Sequence, residues 1–119
     1  MPYISTEKVA EIRKELKATF PEYKFSVRKD GNVGIFVTVL AGPIQLMSDP
    51  RNDEEFVNEF HYESHYAGEP EKLGFLRKLL GIVRRDVYTI VEDSDYGAIP
   101  SFYTNISIGD WRKPYKVTK

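Results

Sequence analysis

The chain has 119 residues, 41% of them apolar or aromatic, which suits one domain spanning 1–119 with its own core. Seventeen Lys and Arg against eighteen Asp and Glu leave a net charge of −1, which argues against a broadly basic nucleic-acid binder and against an acidic DNA mimic. The absence of cysteine excludes disulfide frameworks, thiolate nucleophiles and cysteine-based metal centres.

Ser5 or Thr6 caps a first helix in which Val9, Ile12, Leu16 and Phe20 recur at steps of three and four, drawing one apolar stripe. Glu11 and Lys14 are spaced as an ion pair on it, and Pro21 stops the element. Tyr23, Phe25 and Val27 then alternate with Lys24, Ser26 and Arg28, a strand with one wet face. Asp30-Gly31-Asn32 has the composition of a tight hairpin. The return strand, Val33 to Leu40, is apolar on both faces and is therefore expected at the centre of the sheet. Gly42-Pro43 ends it.

Ile44 and Leu46 suggest a short strand. Asn52 with Glu55 fits a capping box, which predicts a helix over Asp53–Phe60 with Phe56, Val57 and Phe60 inward. Periodicity leaves His61 to Tyr66 open between helix and extended chain. Pro70 opens a second strong helical stripe of Leu73, Leu76, Leu79, Leu80 and Val83. Val87–Val91 reads as a strand, 93–100 as a loop, and Phe102, Thr104, Ile106 and Ile108 as the inward positions of a last strand. The sum is an α+β fold: an antiparallel sheet of three to five strands with two or three helices packed mainly on one face.

No apolar run approaches the ~20 residues of a membrane helix, and the N-terminus carries no export signal, so a cytoplasmic protein without membrane contact is expected. Charge is uneven: residues 41–70 hold one base and seven acids, while 71–119 hold nine bases and six acids.

His61 and His65 would share a helix face at the spacing of two metal-binding imidazoles, although Tyr62 stands where a metalloprotease has its Glu. A third ligand would have to be a carboxylate; the blander reading is a surface hydrogen-bonding role, and no metal or cofactor is expected. Glu92, Asp93 and Asp95 read as turn-forming acids, since the later positions of a calcium loop are missing. No glycine-rich phosphate loop or nucleophile elbow occurs, and no catalytic residue is assigned.

Of the eight tyrosines, Tyr62, Tyr66, Tyr96, Tyr103 and Tyr115 crowd with Trp111 into the second half, near the acidic segment. Tyr and Trp bury large area at low entropy cost, so Tyr62, Tyr66, Tyr96 and Trp111 with Glu59, Glu63 and Asp95 form the expected protein-binding surface. The alternative is a nucleic-acid surface of Arg77, Lys78, Arg84 and Arg85 on the second long helix with Arg112 and Lys113 of the tail, in a basic stripe that also includes Lys72. A metal-dependent hydrolase on His61 and His65 is the third reading.

Three stretches carry a resemblance in order along the chain. They are Ile12–Lys17 with Phe20-Pro21 and Lys24-Phe25-Ser26-Val27-Arg28; Gly42-Pro43; and Ser94-Asp95-Tyr96 with Phe102-Tyr103, Ile106–Gly109, Trp111 and Lys113-Pro114-Tyr115. Together they resemble a large polyvalent protein-associated domain of phage and conjugative-plasmid proteins. The resemblance implies a mobile-element accessory role, against host defence or in bringing DNA into a host. It supplies no catalytic residue.

Overall fold

Helix α1 (Thr6–Thr19) begins where Ser5 Oγ accepts the N–H of Lys8 at 3.0 Å and ends at Phe20, ahead of Pro21. Its stripe of Val9, Ile12 and Leu16 is buried, each side chain of this size contributing about 1.5–3 kcal/mol. Glu11 pairs with Lys8 at 3.0 Å, on the turn before it, instead of with Lys14 on the turn after. The computed structural model describes residues 3–87, 89–93 and 97–118, with side chains described outside 88–100.

Strands β1 (Lys24–Asp30) and β2 (Gly34–Gly42) form the expected antiparallel hairpin, with Gly31 at φ +56° in its turn. Strand β3 (Glu55–Val57), helices α2 (Tyr62–His65) and α3 (Pro70–Val83), and strands β4 (Thr89–Asp93), β5 (Gly97–Pro100), β6 (Tyr103–Ile108) and β7 (Lys116–Val117) follow. The main sheet runs β1-β2-β6-β3, and β7 also pairs with β2, so β2 is central as its two-sided apolar sequence predicts. The outer pairs β1–β2 and β3–β6 are antiparallel. The pair β2–β6 is parallel, which the long crossover between them permits.

One sheet face carries Val27, Ile35, Val37, Val39, Val57, Ile106 and Ile108, and the stripes of α1 and α3 close over it. At one end Phe75 of α3 packs on Phe20 and stacks on Tyr23, whose ring centroid is 4.4 Å away. The α+β class with helices on a five-stranded sheet is thus as the sequence predicts.

Several local expectations are corrected. Residues 53–60 form no helix: the stretch contains β3, and Glu55 is taken by Lys72, Tyr66 and Ser48 instead of a capping box. Phe56 and Phe60 point outward, each 75% exposed, while Val57 is buried as expected. Ile44 and Leu46 lie in no strand, though Leu46 is fully buried. The strand expected over Val87–Val91 is displaced to β4, and part of the expected 93–100 loop is β5, its antiparallel partner. Lys72, expected on a solvated stripe, is only 2% exposed.

Candidate functional site

Residues two apart in a strand point the same way, so the register aligns a second set of side chains on the face the helices leave open. Ser26 and Arg28 of β1 lie opposite Thr38 and Phe36 of β2, and Thr38 lies opposite Ser107 of β6, which faces Phe56 of β3. The hydroxyls of Thr38 and Ser107 are 3.1 Å apart.

A cleft of about 340 Å³ opens on this face, lined by Ser26, Arg28, Thr38, Leu40, Asp110, Arg112 and Lys113. Its wall is the turn after β6. There the N–H of Asp110 donates to the carbonyl of Lys113 and the N–H of Lys113 donates back, both at 2.9 Å. Gly109 makes the turn possible: its φ is +75°, and a Cβ there would stand 2.5 Å from the carbonyl oxygen of Asp53.

The rim is cationic. Arg28 places its guanidinium 5.5 Å from the Phe36 ring centroid, and Arg112 places its own 5.4 Å from that of Trp111. Among the described residues, Arg28 and Lys113 form no ion pair, while Arg112 Nε lies 3.6 Å from Asp110. The N–H of Arg112, donating to Asp110 at 2.9 Å, and the charges of Arg112 and Arg28 hold the Asp110 carboxyl below the usual range.

A family model described as large polyvalent protein associated domain 29 matches residues 4–74, more than half of the chain. The chain belongs to this family. As a large polyvalent protein associated domain, it is of the kind found in mobile elements. The match spans the cleft residues Ser26, Arg28, Thr38 and Leu40, but stops before Asp110, Arg112 and Lys113. No curated protein and no solved structure matches the chain.

In this polyvalent-protein associated domain the aromatic and acidic residues named from sequence do not form one exposed patch. Tyr66 is 7% exposed and its hydroxyl donates to Glu55 at 2.6 Å, while Tyr62 packs against the core. Burial and its bond to Glu55 push the Tyr66 phenol well above its ordinary value. Trp111 is 68% exposed, in the turn beside the cleft. Asp95 and Tyr96 lie outside the described residues.

Much of the basic helix is paired internally, partly with those same acids. Arg84 meets Glu59 at 2.8 Å and donates to Thr104 at 2.6 Å; Arg77 meets Glu63 at 2.8 Å; Arg85 meets Glu15. Lys78 is exposed, and Arg112 and Lys113 join the cleft rather than α3. His61 and His65 have ring centroids 6.4 Å apart, and among the described residues no group of three His, Cys, Asp or Glu could hold a metal. Among those residues, too, no helix is long and apolar enough to cross a membrane.

Sequence reading missed Ser26, Arg28 and Thr38 as site residues. Ser26 and Arg28 showed only as the polar alternation of β1, which marks a wet face without saying what gathers there, and Thr38 sits in a strand that reads as apolar on both faces.

Proposed function

We propose that the chain acts as a single non-catalytic binding domain of a mobile-element polyvalent protein and holds single-stranded nucleic acid on the open face of its sheet. The observation that carries this reading is the convergence of Arg28 with Arg112 and Lys113 around the hydroxyls of Ser26 and Thr38, beside the rings of Phe36 and Trp111. Cations follow phosphates, and aromatic faces stack on bases of any sequence. Such a module serves an element that moves DNA into a host or shields it from host defence.

The test is anisotropy of a labelled thymidylate oligomer at about 50 mM salt. Binding that weakens steeply with salt, and that falls with Arg28→Ala but not with Arg77→Ala, supports the reading. Absence of binding at low salt sinks it.

A protein partner is the second reading, favoured by Phe56 and Phe60 standing exposed at the β3 edge beside a groove lined by Asn58, Glu59 and Asn105. If it holds, Phe56→Ser with Phe60→Ser abolishes capture of a host protein by the intact chain. Unchanged capture would remove it.

A further inference from the structure

We infer that the cleft between β1, β2 and the 109–113 turn is a subsite for a terminal phosphate, the phosphomonoester at the end of a single strand, rather than for the phosphodiesters along it. The inference rests on the nucleic-acid reading of the open face and names what the cleft itself selects.

Charge gives the first argument. Arg28, Arg112 and Lys113 surround a single carboxylate, Asp110, leaving an excess of two positive charges among the lining residues. A phosphodiester carries one negative charge, whereas a phosphomonoester approaches two at neutral pH because its second ionisation lies near pH 6. Asp110 is engaged within its own turn, accepting the N–H of Arg112 at 2.9 Å. It offsets one cation, and the net charge of two that remains attracts a dianion about twice as strongly as a monoanion.

Donor geometry gives the second. Ser26 and Thr38 are cross-strand neighbours on the cleft floor, and Thr38 lies 3.1 Å from Ser107. When Ser107 donates to Thr38, the Thr38 proton is free to turn into the cleft, and Ser26 supplies another. Two hydroxyls with a guanidinium fork suit the several acceptor oxygens of a terminal phosphate.

Shape gives the third. The doubly bonded Asp110–Lys113 turn stands as a wall at one side of the cleft. The volume, about 340 Å³, falls at the lower end of small-ligand pockets, on the scale of one terminal nucleotide.

The experiment compares three forms of one short thymidylate oligomer: 5′-phosphorylated, 3′-phosphorylated and with hydroxyl ends, each measured by anisotropy at about 100 mM salt. The expected result is about tenfold tighter binding of a phosphorylated form, a gap removed by Arg28→Ala and by Lys113→Ala. Both residues are exposed, and circular dichroism of each variant is the check on its folding. The gap narrows as pH is lowered through about 6, where the phosphate loses its second charge. Equal affinity for all three forms overturns the terminal-phosphate inference while leaving the nucleic-acid reading intact. Binding of none overturns both. Inorganic phosphate bound as tightly as the phosphorylated oligomer overturns the strand end as the ligand.

Discussion

Lys72 Nζ lies 2.5 Å from Glu55 Oε2 and 3.8 Å from the Tyr66 ring centroid, with only 2% of the lysine side chain exposed. The ammonium also donates to Ser48 Oγ at 2.8 Å, and Ser48 N–H donates to the other Glu55 oxygen. One buried cation therefore fastens α3 to β3 and to the segment before it.

Removing that cation leaves a carboxylate in a low-dielectric setting without its counter-charge. Lys72→Met is expected to cost about 3 kcal/mol, the low end for a buried pair because Glu55 keeps some solvent. Adding Glu55→Leu recovers most of the loss. Urea unfolding of the two single variants and the double variant measures the coupling directly.

Burial alone would raise the Glu55 pKa, but the bonds from Lys72, Tyr66 and the Ser48 N–H outweigh it and hold the carboxyl below its ordinary value near 4.5. A depressed folded-state pKa stabilises the fold above the unfolded value and loses that contribution as pH falls through the folded one. Stability should therefore drop on acidification below about pH 4.5, and Glu55→Gln should be less stable at neutral pH with a flatter acid limb. Unfolding midpoints from neutral to acid pH check both.

Gly109→Ala forces a side chain onto φ +75° and against the Asp53 carbonyl oxygen. The strain predicts a loss of about 1–3 kcal/mol, read as a lower melting temperature, together with weaker oligonucleotide binding because the cleft wall shifts. Ala at Gly74, which would meet nothing within 4 Å, should leave both unchanged or raise stability.

For the open face, three cations set the salt dependence. A single strand neutralised by Arg28, Arg112 and Lys113 predicts a log–log slope of about −2, falling by roughly 0.7 for each cation removed. Phe36→Ala or Trp111→Ala should weaken binding by about 1–3 kcal/mol with little change in that slope, since stacking releases no counterions.

Arg77 and Arg85, despite their place in the basic stripe, pair with Glu63 and Glu15. Their alanine variants should bind an oligonucleotide as the parent does and should lose less than about 1 kcal/mol of stability, as exposed pairs do. A mobility shift that depends on either residue would return the interface to α3.

The helices and the β1–β2 hairpin were legible because period 3.6, period two and turn chemistry each act over neighbouring residues. Glu55 misled the reading of 53–60: its spacing from Asn52 imitates a capping box, while its partners Lys72 and Tyr66 are distant in sequence. Three residues of β3 are too short to display their own alternation, although Phe56 faces out and Val57 in. The parallel β2–β6 pairing left no mark, since each strand carries the same inward pattern in either direction. The cleft was hidden for a related reason. Arg28 read as one wet position on a strand and Arg112 and Lys113 as a basic tail, and only the return of β6 beside β2 brings them together.

The family likeness ends at residue 74, inside α3, yet β2 takes its inner neighbour, β6, and a further partner, β7, from beyond that point. A fragment trimmed to the matched span would strip those partners away and bare the backbone edge of β2 between oily flanks. Such an edge recruits any passing strand, so the trimmed piece should aggregate or swap rather than stand alone. The extent of recognisable ancestry and the smallest foldable length are different boundaries here, and dissection of longer proteins carrying this domain should keep everything through β7.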